Sequence, residues 1–355
     1  MKTCKLCLLP GIVKDSDIDE EGTCRFCRDY KKIDFSIQEK IRRGYEADLE
    51  KALKDCKGQG EYDCLVPLSG GKDSIYLLYK LKKEYGLKVL AFTTNVNIPE
   101  IAWDNIRRAL KKLDIDHISY TPSNSFYAKI FKYLLQNQEQ RGAVYTISYV
   151  YAPLFEGDAI KLALQKKIPL VLAGYSPGQP EPERMLYEFS RKLICETDWT
   201  PPGLSQSGLL SEEEISLFFN PAQYPTGTKF PRYLAPFHAW KYNQDEIMKS
   251  VVKNGLVKTG KHASPIYSNY PINWLLMYSD LKHFGYNPYH PEFSALIREG
   301  KAGRMYWKIM TPVVNFMIKN KVLLGKDVTK SLNWLGLDEK DLKITKPKGY
   351  YDPVF

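Results

Sequence analysis

The chain has 355 residues, of which 44% are hydrophobic and 26% charged, and its formal net charge is +10. These proportions are typical of a globular protein with a sizeable core, and they exclude a mainly disordered, collagen-like or disulfide-scaffold chain. No apolar run approaches the ~20 residues that span a bilayer, and no apolar stretch follows the first five residues. We therefore expect a cytoplasmic protein without membrane insertion.

The positive charge is concentrated towards the C-terminus. Residues 301–355 carry eleven basic and five acidic side chains and so contribute +6. A basic segment suits an anionic partner, such as RNA, a phosphorylated substrate or a membrane surface. A lysine-rich solvated surface is an equally good interpretation.

Two C-x-x-C pairs stand in residues 1–33, a segment with little periodic apolar pattern. Their spacing, Cys4-x2-Cys7-x16-Cys24-x2-Cys27, is typical of a tetrathiolate zinc site. We predict a small module whose folding depends on Zn²⁺, and four thiolates leave no open position for catalysis. An iron–sulfur cluster and free thiols are the alternatives.

Residues 34–60 predict a charged helical connector, and an alternation of strands and helices follows. Short apolar runs predict strands at 63–68, 88–95, 117–121 and 169–175, with helices at 75–86, 99–113, 125–136 and 156–167. This alternation predicts an α/β fold, a parallel sheet with helices on both faces. Ligands of such sheets bind at the carboxyl ends of the strands, so one site could use the loops after all four.

The rest of the chain divides into two parts. Residues 196–242 contain six prolines and many aromatic residues, which indicates either an ordered lid or a flexible connection. Residues 243–355 are expected to be mostly helical, beginning with a helix capped by Asn243.

The loop after the first strand has the residues of an oligophosphate site: Ser69, Gly70, Gly71, Lys72, Asp73 and Ser74. The glycines let the backbone turn and approach a ligand, and the start of the next helix offers free N–H groups. The serines add hydroxyl donors, Lys72 adds a positive charge, and Asp73 could hold Mg²⁺. The order is not the Walker pattern, so an ordinary kinase or GTPase is not implied.

This Ser-Gly-Gly-Lys-Asp-Ser sequence resembles the PP-loop of the ATP pyrophosphatase family, whose fold is that of the adenine-nucleotide α-hydrolases (the HUP type). The resemblance implies a nucleotide-binding domain over residues 61–195 that cleaves ATP between the α and β phosphates. A substrate carbonyl oxygen is adenylated, and a nucleophile then displaces AMP. The resemblance also implies that residues 69–74 bind pyrophosphate, that Lys72 and Asp73 are catalytic, and that Phe92, Thr93, Gly174 and Tyr175 contact the nucleoside.

The layout of residues 1–74 is similar to that of the N-acetyl sugar amidotransferases. In this sequence the matching segments run from Met1 to Pro10, from Asp17 to Cys27 and from Tyr62 to Ser74. The resemblance implies ATP-dependent conversion of an acetamido group on a nucleotide-linked or activated sugar to an acetamidino group. It places the enzyme in the biosynthesis of bacterial surface polysaccharides or sialic-acid-like sugars, with ammonia from a separate glutaminase.

Two other functions remain open: sulfur transfer to tRNA or to a small-molecule amide, and nucleotide sensing without chemistry. Sulfur-transferring relatives need reactive cysteines, and only Cys195 follows the fourth predicted strand; Cys56 and Cys64 suit the core. A base that acts on the nucleophile is sought among His238, His283 and His290, and groups for a substrate phosphate among Arg184, Arg191 and Arg298. For each of these residues a structural role is the simpler interpretation.

Overall fold

The structure, a computed structural model, describes residues 2–177 and 187–352, and at Tyr149 and Tyr151 it describes the backbone alone. A parallel sheet of five strands forms its centre, in the order β3–β2–β1–β5–β6. These strands are β1 (Cys64–Pro67), β2 (Val89–Thr94), β3 (Asp116–Tyr120), β5 (Leu170–Leu172) and β6 (Arg232–Leu234). The chain adds β2 and β3 on one side of β1, and β5 and β6 on the other. The sheet therefore has its topological switch point between β1 and β5.

Helices cover both faces of the sheet, because successive strand residues point to opposite faces. In β1, Cys64 and Val66 belong to one core cluster, and Leu65 belongs to another. The helices around the sheet are α2 (Phe35–Asp55), α3 (Lys72–Tyr79, continued by a π-helical turn), α4 (Glu100–Leu113), α5 (Asn124–Gln136) and α6 (Ala143–Gln165). The predicted α/β class is confirmed.

Helix α6 is longer than the sequence pattern indicated, because the prediction began it only at residue 156. The segment before that point is rich in Tyr, Ser and Thr, and Pro153 lies inside the helix. Its first half packs in the core of the C-terminal helices, and its second half packs on the sheet. Burial on all sides removes the amphipathic pattern that prediction relies on.

The C-terminal region is mostly helical, as expected. Its helices are α10 (Gln244–Lys253), α11 (Gly260–Ala263), α12 (Pro265–Ser268), α13 (Ile272–Phe284), α14 (His290–Arg298), α15 (Arg304–Asn320) and α16 (Lys326–Leu335). The Asn243 side chain accepts hydrogen bonds from the N–H groups of Asp245 and Glu246, so the predicted cap is confirmed. A two-stranded sheet of β4 (Gln138–Glu139) and β7 (Ile344–Lys346) joins this region to the end of α5.

The structure describes the whole of the proline-rich segment 196–242. It follows α7 (Arg191–Glu196) and contains α8 (Pro202–Ser205), α9 (Glu212–Ile215) and the edge strand β6. Strand β6 was not predicted: it has three residues and directly follows Pro231, so it carries neither the length nor the alternation of a typical strand. In the described part of the chain, no helix combines the length and hydropathy that crossing a membrane requires.

The N-terminal cysteine module, with its short helix α1 (Arg25–Tyr30), packs against the C-terminal region. The Arg304 guanidinium donates hydrogen bonds to the carbonyl oxygens of Lys5, at 2.6 Å, and Leu6, at 3.1 Å. Ile297 packs on the module's core, and the Arg298 guanidinium lies over the ring of Phe26. The module is therefore attached to the C-terminal end of α14 and to the N-terminal end of α15.

Candidate functional site

The loop between β1 and α3, residues 69–74, lies at the switch point of the sheet, and we call it the cradle. The first α-helical hydrogen bond runs from the Ile75 N–H to the Gly71 carbonyl, so the N–H groups of residues 72–74 have no acceptor within the helix. The Ser69 and Ser74 hydroxyl groups lie 3.2 Å apart, on the same loop. Free N–H groups, hydroxyl donors and the positive end of a helix dipole suit an anionic oxygen ligand.

Glycine is required at two places around this cradle. Gly70 has φ +78°, and a Cβ there would lie 2.5 Å from the Ala102 carbonyl oxygen on α4. Gly174, just after β5, lies so close to the start of α3 that a Cβ at this position would be 2.9 Å from the Ser74 nitrogen. A side chain at either position would clash with backbone atoms that hold the loop.

Asn105 on α4 holds the loop in place through hydrogen bonds to backbone carbonyl groups. It was not among the residues predicted from the sequence. It is 1% exposed, and its Nδ2 donates to the carbonyl oxygens of Gly70, at 3.0 Å, and His262, at 2.8 Å. The available signal was a polar residue on the buried face of an amphipathic helix, since Ala102, Ile106 and Ala109 share that face.

Lys72, Asp73 and Tyr242 form one polar cluster at the start of α3. The Lys72 ammonium lies 2.6 Å from Oδ2 of Asp73, and the Tyr242 hydroxyl donates to Oδ1 of Asp73 at 3.1 Å. Burial would lower the pKa of Lys72, but the Asp73 carboxylate and Tyr242 together raise it above its ordinary value. Lys72 is therefore a buried, permanent positive charge beside the cradle.

On one side of the cradle lies a cavity of about 300 Å³. Three of the predicted nucleoside contacts line it: Phe92, Gly174 and Tyr175. Thr93 does not line it; its hydroxyl donates to the Leu68 carbonyl at 2.7 Å and lies 2.9 Å from Nε2 of His117. Thr94 lines the cavity instead. We call this space the nucleoside-side cavity.

Tyr175 is held at the wall of the nucleoside-side cavity by a buried carboxylate. Its hydroxyl donates to Oε1 of Glu156 at 2.7 Å, and burial next to Glu156 raises the pKa of Tyr175 well above its ordinary value. The ring therefore stays neutral and fixed, which suits a surface for a flat, uncharged base.

On the other side of the cradle a second cavity, of about 210 Å³, extends into the C-terminal helices. We call it the aromatic cavity, because Tyr242, Tyr270, Trp274, Tyr289, Phe293 and Trp307 line it. Phe293 and Trp307 stack with their ring centroids 3.4 Å apart. The two cavities share Tyr270 and three residues of the loop, Ser69, Gly71 and Asp73, so the loop forms part of the boundary between them.

The other residues considered in the sequence lie in different places. Of the three histidines, His290 lines the aromatic cavity, whereas the His283 imidazole bonds the Ser279 carbonyl and His238 follows β6. Arg298 packs on Phe26, Arg191 is exposed at the start of α7, and Arg184 lies outside the described residues. Cys195 is half-buried on α7, and Cys56 and Cys64 are buried in the sheet's core.

The four cysteines of the N-terminal module come together. Their sulfur atoms all lie within 4.8 Å of one another, with Cys4 and Cys27 at 3.8 Å and Cys7 and Cys24 at 3.6 Å. Burial raises the pKa of the Cys7 and Cys27 thiols, so binding of a metal would have to release protons. A single tetrahedral ion with metal–sulfur bonds of ~2.3 Å places its ligands roughly 3.8 Å apart, which the Cys4–Cys27 and Cys7–Cys24 separations match.

No family model and no curated protein matches the sequence. Among solved structures, the chain is similar to the U34-tRNA thiolase NcsA from Methanococcus maripaludis with its 4Fe-4S cluster, at 12% identity over 95% of this chain and 89% of that one, with a TM-score of 0.35. It is similar to NMN synthetase from Francisella tularensis at 11% identity over 86% and 97%, with a TM-score of 0.35. The NH3-dependent NAD synthetase from Campylobacter jejuni, in complex with nitrate, gives 13% identity over 84% and 96%, with a TM-score of 0.34.

Proposed function

We propose that this protein is an ATP-dependent enzyme that adenylates a carbonyl oxygen and releases AMP and pyrophosphate. The observation that carries the proposal is the position of the Ser69–Ser74 loop between two cavities that both reach Asp73. A nucleoside in one cavity would direct its phosphates onto the loop, and an acceptor in the other could reach the α-phosphate. The resemblance of the loop to the PP-loop supports the same division of roles.

The residues of the loop take the following roles in this proposal. The N–H groups at the start of α3, the two serine hydroxyls and Lys72 hold the pyrophosphate group as negative charge develops on it. Asp73 offers the carboxylate oxygen that Mg²⁺ prefers, and Tyr242 orients it. Mg²⁺, when it is bound with ATP, supplies positive charge that offsets the charge on the leaving pyrophosphate.

For the acceptor we propose the acetamido group of an N-acetyl sugar, nucleotide-linked or otherwise activated. The amide oxygen attacks the α-phosphorus, and the bond between the α and β phosphates breaks with release of pyrophosphate. Ammonia then adds to the activated carbon, and the original amide oxygen leaves with AMP, giving an acetamidino group after loss of protons. The aromatic cavity and the resemblance of residues 1–74 to the N-acetyl sugar amidotransferases support this acceptor.

The ammonia source and the setting belong to the same proposal. A separate glutaminase would supply ammonia, and the product would serve bacterial surface-polysaccharide or sialic-acid-like sugar biosynthesis in the cytoplasm. Sulfur transfer to tRNA or to an amide is the alternative, and the basic segment 301–355 favours it slightly. Among the described residues that line the two cavities there is no cysteine, which favours ammonia over a protein-borne sulfur.

We propose structural zinc for the N-terminal module. A single ion fits sulfur separations of 3.6 and 3.8 Å. A four-iron cluster attaches each thiolate to a different iron, which requires the sulfurs to lie further apart than around one ion. The burial of all four cysteines agrees with a closed site that stabilises the module.

The test is to incubate the protein with ATP, Mg²⁺ and UDP-N-acetyl sugars carrying oxygen-18 in the acetyl carbonyl, with ammonium or sulfide. We expect ammonium-dependent AMP that contains the label, and a sugar slightly lighter than the substrate. A heavier, sulfur-containing product formed with sulfide would establish the alternative. Unlabelled AMP would refute adenylation of the acetyl oxygen.

Two variants connect this activity to the loop. Lys72→Ala should lower the rate of AMP formation by about 10²–10³-fold, because the site loses a fixed positive charge at the leaving group. Lys340→Ala is the matched control, since its partner Asp338 and its own side chain are both largely exposed. Equal activity of the two variants would refute the assignment of Lys72.

A further inference from the structure

The aromatic cavity contains two buried polar atoms that have no hydrogen-bond partner within the protein. One is Oε1 of Gln244, in the first turn of α10, on a side chain that is 2% exposed. The other is Nδ1 of His290, in the first turn of α14. Both residues line the cavity that begins at the phosphate loop.

Unpaired buried polar atoms are costly, because folding removes them from water without replacing its hydrogen bonds. Here two such atoms line one cavity, and their residues are 46 positions apart in the chain. We conclude that something other than the protein completes their hydrogen bonding. A bound ligand or ordered water would do so. Since the same cavity opens at Asp73, a ligand here would lie next to the proposed site of adenylation.

The charge of the cavity restricts the ligand. Its described lining contains no arginine, its lysine, Lys72, is paired with Asp73 and assigned above to the pyrophosphate, and its acidic residues are Asp73 and Glu292. Burial lowers the pKa of His290 to about 4, so the imidazole is neutral at pH 7 and offers one donor and one acceptor. Beyond the lysine at its loop end, the described lining therefore provides no cation for a phosphate or a carboxylate, and the carboxyl groups of Asp73 and Glu292 disfavour an anion there.

The aromatic side chains restrict the ligand further. Trp307 is 4% exposed and is fixed by its stack with Phe293, so the wall is rigid and apolar. Rigid aromatic rings with a few neutral polar groups between them favour a small ring that has apolar faces and polar edges. Such a ligand can place its faces on the aromatic groups and its polar edge on the amide and the imidazole.

We propose that Gln244 and His290 are specificity-determining residues that bind the uncharged, acetamido-bearing ring of the acceptor in the aromatic cavity. This inference rests on the proposed function for the identity of the acceptor. It adds that the cavity binds only the neutral part of that molecule, so any phosphate or nucleotide attached to the sugar lies outside it. The amide carbonyl of Gln244 accepts from an N–H or O–H of the ring, and the imidazole of His290 exchanges a hydrogen bond with another polar group.

The test measures binding directly, without ATP. Trp274 and Trp307 line the cavity and so give a fluorescence signal for it. The probes are the methyl glycoside of N-acetylglucosamine, the corresponding 2-amino glycoside, which carries an ammonium group, and N-acetylneuraminate, which carries a carboxylate. We expect the neutral acetamido probe to bind at least about tenfold more tightly than the 2-amino probe, which lacks the acetyl group and its hydrogen bond, and than N-acetylneuraminate, whose carboxylate would lie near the carboxyl groups of Asp73 and Glu292.

The variants are Gln244→Ala and His290→Ala, with Gln223→Ala and His283→Ala as matched controls that lie outside the cavity and are exposed. We expect each cavity variant to weaken binding of the neutral probe about tenfold, and each control to leave it unchanged. Gln244→Leu should also lose binding, yet unfold at the wild-type temperature or above it, because an unpaired buried carbonyl is removed. A purely structural Gln244 would instead give a less stable Leu variant.

The outcomes separate this inference from the proposed function. Three outcomes would each overturn the inference: equal binding of neutral and charged probes, no binding of any probe, or unchanged binding by Gln244→Ala and His290→Ala. Unchanged binding by the two variants would indicate that water, and not the ligand, completes the hydrogen bonding of these side chains. If the neutral probe binds through these two residues but the wild type forms no AMP from ATP, the inference holds and the proposed reaction is wrong. If AMP forms but binding of the probe depends on neither Gln244 nor His290, the proposed reaction holds and the inference is wrong.

Discussion

The Tyr242 hydroxyl donates a hydrogen bond to Oδ1 of Asp73 at 3.1 Å, although the two residues are 169 positions apart in the chain. The same hydroxyl lies 3.5 Å from the Lys72 ammonium. The last residue of the proline-rich segment 196–242 thus contacts both charged residues at the start of α3. In the proposed function, this contact orients the carboxylate that would hold Mg²⁺, a role that the sequence of the segment did not reveal.

Removing that hydroxyl should impair ATP cleavage without unfolding the protein. We expect Tyr242→Phe to keep the ring that packs against Phe237 and to lower kcat/KM for AMP formation about tenfold, because Asp73 loses one orienting hydrogen bond. Steady-state assays with varied Mg²⁺ measure the effect, and a higher Mg²⁺ requirement is expected. Tyr79→Phe, on the helix α3 that carries Asp73, is the control; a Tyr242→Phe enzyme indistinguishable from it would contradict the role of the hydroxyl.

A substitution at Gly70 should lower the stability of the protein by more than the positive φ angle of Gly70 alone explains. Gly70 and Gly58 have nearly equal φ angles, +78° and +75°, but only at Gly70 would a Cβ meet other atoms, at 2.5 Å from the Ala102 carbonyl oxygen. Gly58→Ala should cost about 1–2 kcal/mol from the left-handed backbone alone. Gly70→Ala should cost more and abolish AMP formation, because a backbone carbonyl within α4 cannot move aside.

Denaturant unfolding and nucleotide binding measure the two glycine variants side by side. We expect Gly58→Ala to bind ATP as the wild type does, since nothing lies within 4 Å of its new methyl group. If Gly70→Ala matched Gly58→Ala in both stability and ATP binding, the close approach of α4 would not be what selects glycine in the loop.

Strands β1 and β2, which lie beside the site, could be predicted because each is a short, continuous apolar run. Residues 63–68 and 88–95 carried that signal, and β1 and β2 lie inside them. The position of the Ser69–Ser74 loop could be predicted because glycines and polar residues directly follow a buried apolar run, and its binding of phosphate stays a prediction. Local signals of this kind need no knowledge of the rest of the chain.

The aromatic cavity could not be predicted in the same way. Gln244 and His290 stand in the first turns of separate helices and share a cavity only through the packing of the C-terminal region. Strand β6 has three residues and follows a proline, so it has no periodic pattern from which a strand could be predicted. Contacts that depend on long-range packing cannot be predicted from local patterns in a single sequence.

The metal in the N-terminal module should be zinc, at one ion per chain. Elemental analysis should find zinc and no iron, and the protein should lack visible absorbance, because Zn²⁺ has a filled d shell. Cys24→Ser should lose the ion, and the module should become susceptible to protease because it lacks an apolar core beyond the cysteines and a few neighbours. Cys195→Ser, which changes a cysteine outside the module, should keep the full zinc content. Iron with sulfide and a brown colour would contradict the assignment.

His290 should make the protein less stable in mild acid. Burial lowers its pKa in the folded state to about 4, whereas the unfolded chain binds the proton near the ordinary value of about 6.5. Between these two values the unfolded state binds more protons, so the free energy of unfolding falls as the pH drops from about 6.5 towards 4. The contribution is fully present above pH 6.5, where His290 is neutral in both states.

Replacing His290 by Gln removes this titration while keeping a neutral polar side chain. We expect the free energy of unfolding of His290→Gln to decline less steeply than that of the wild type between pH 6.5 and 4, and the two slopes to agree above pH 7. Urea unfolding at a series of pH values measures both. Parallel curves over the whole range would show that the imidazole is as accessible to protons in the folded protein as in the unfolded chain, and that the aromatic cavity does not shield it from water.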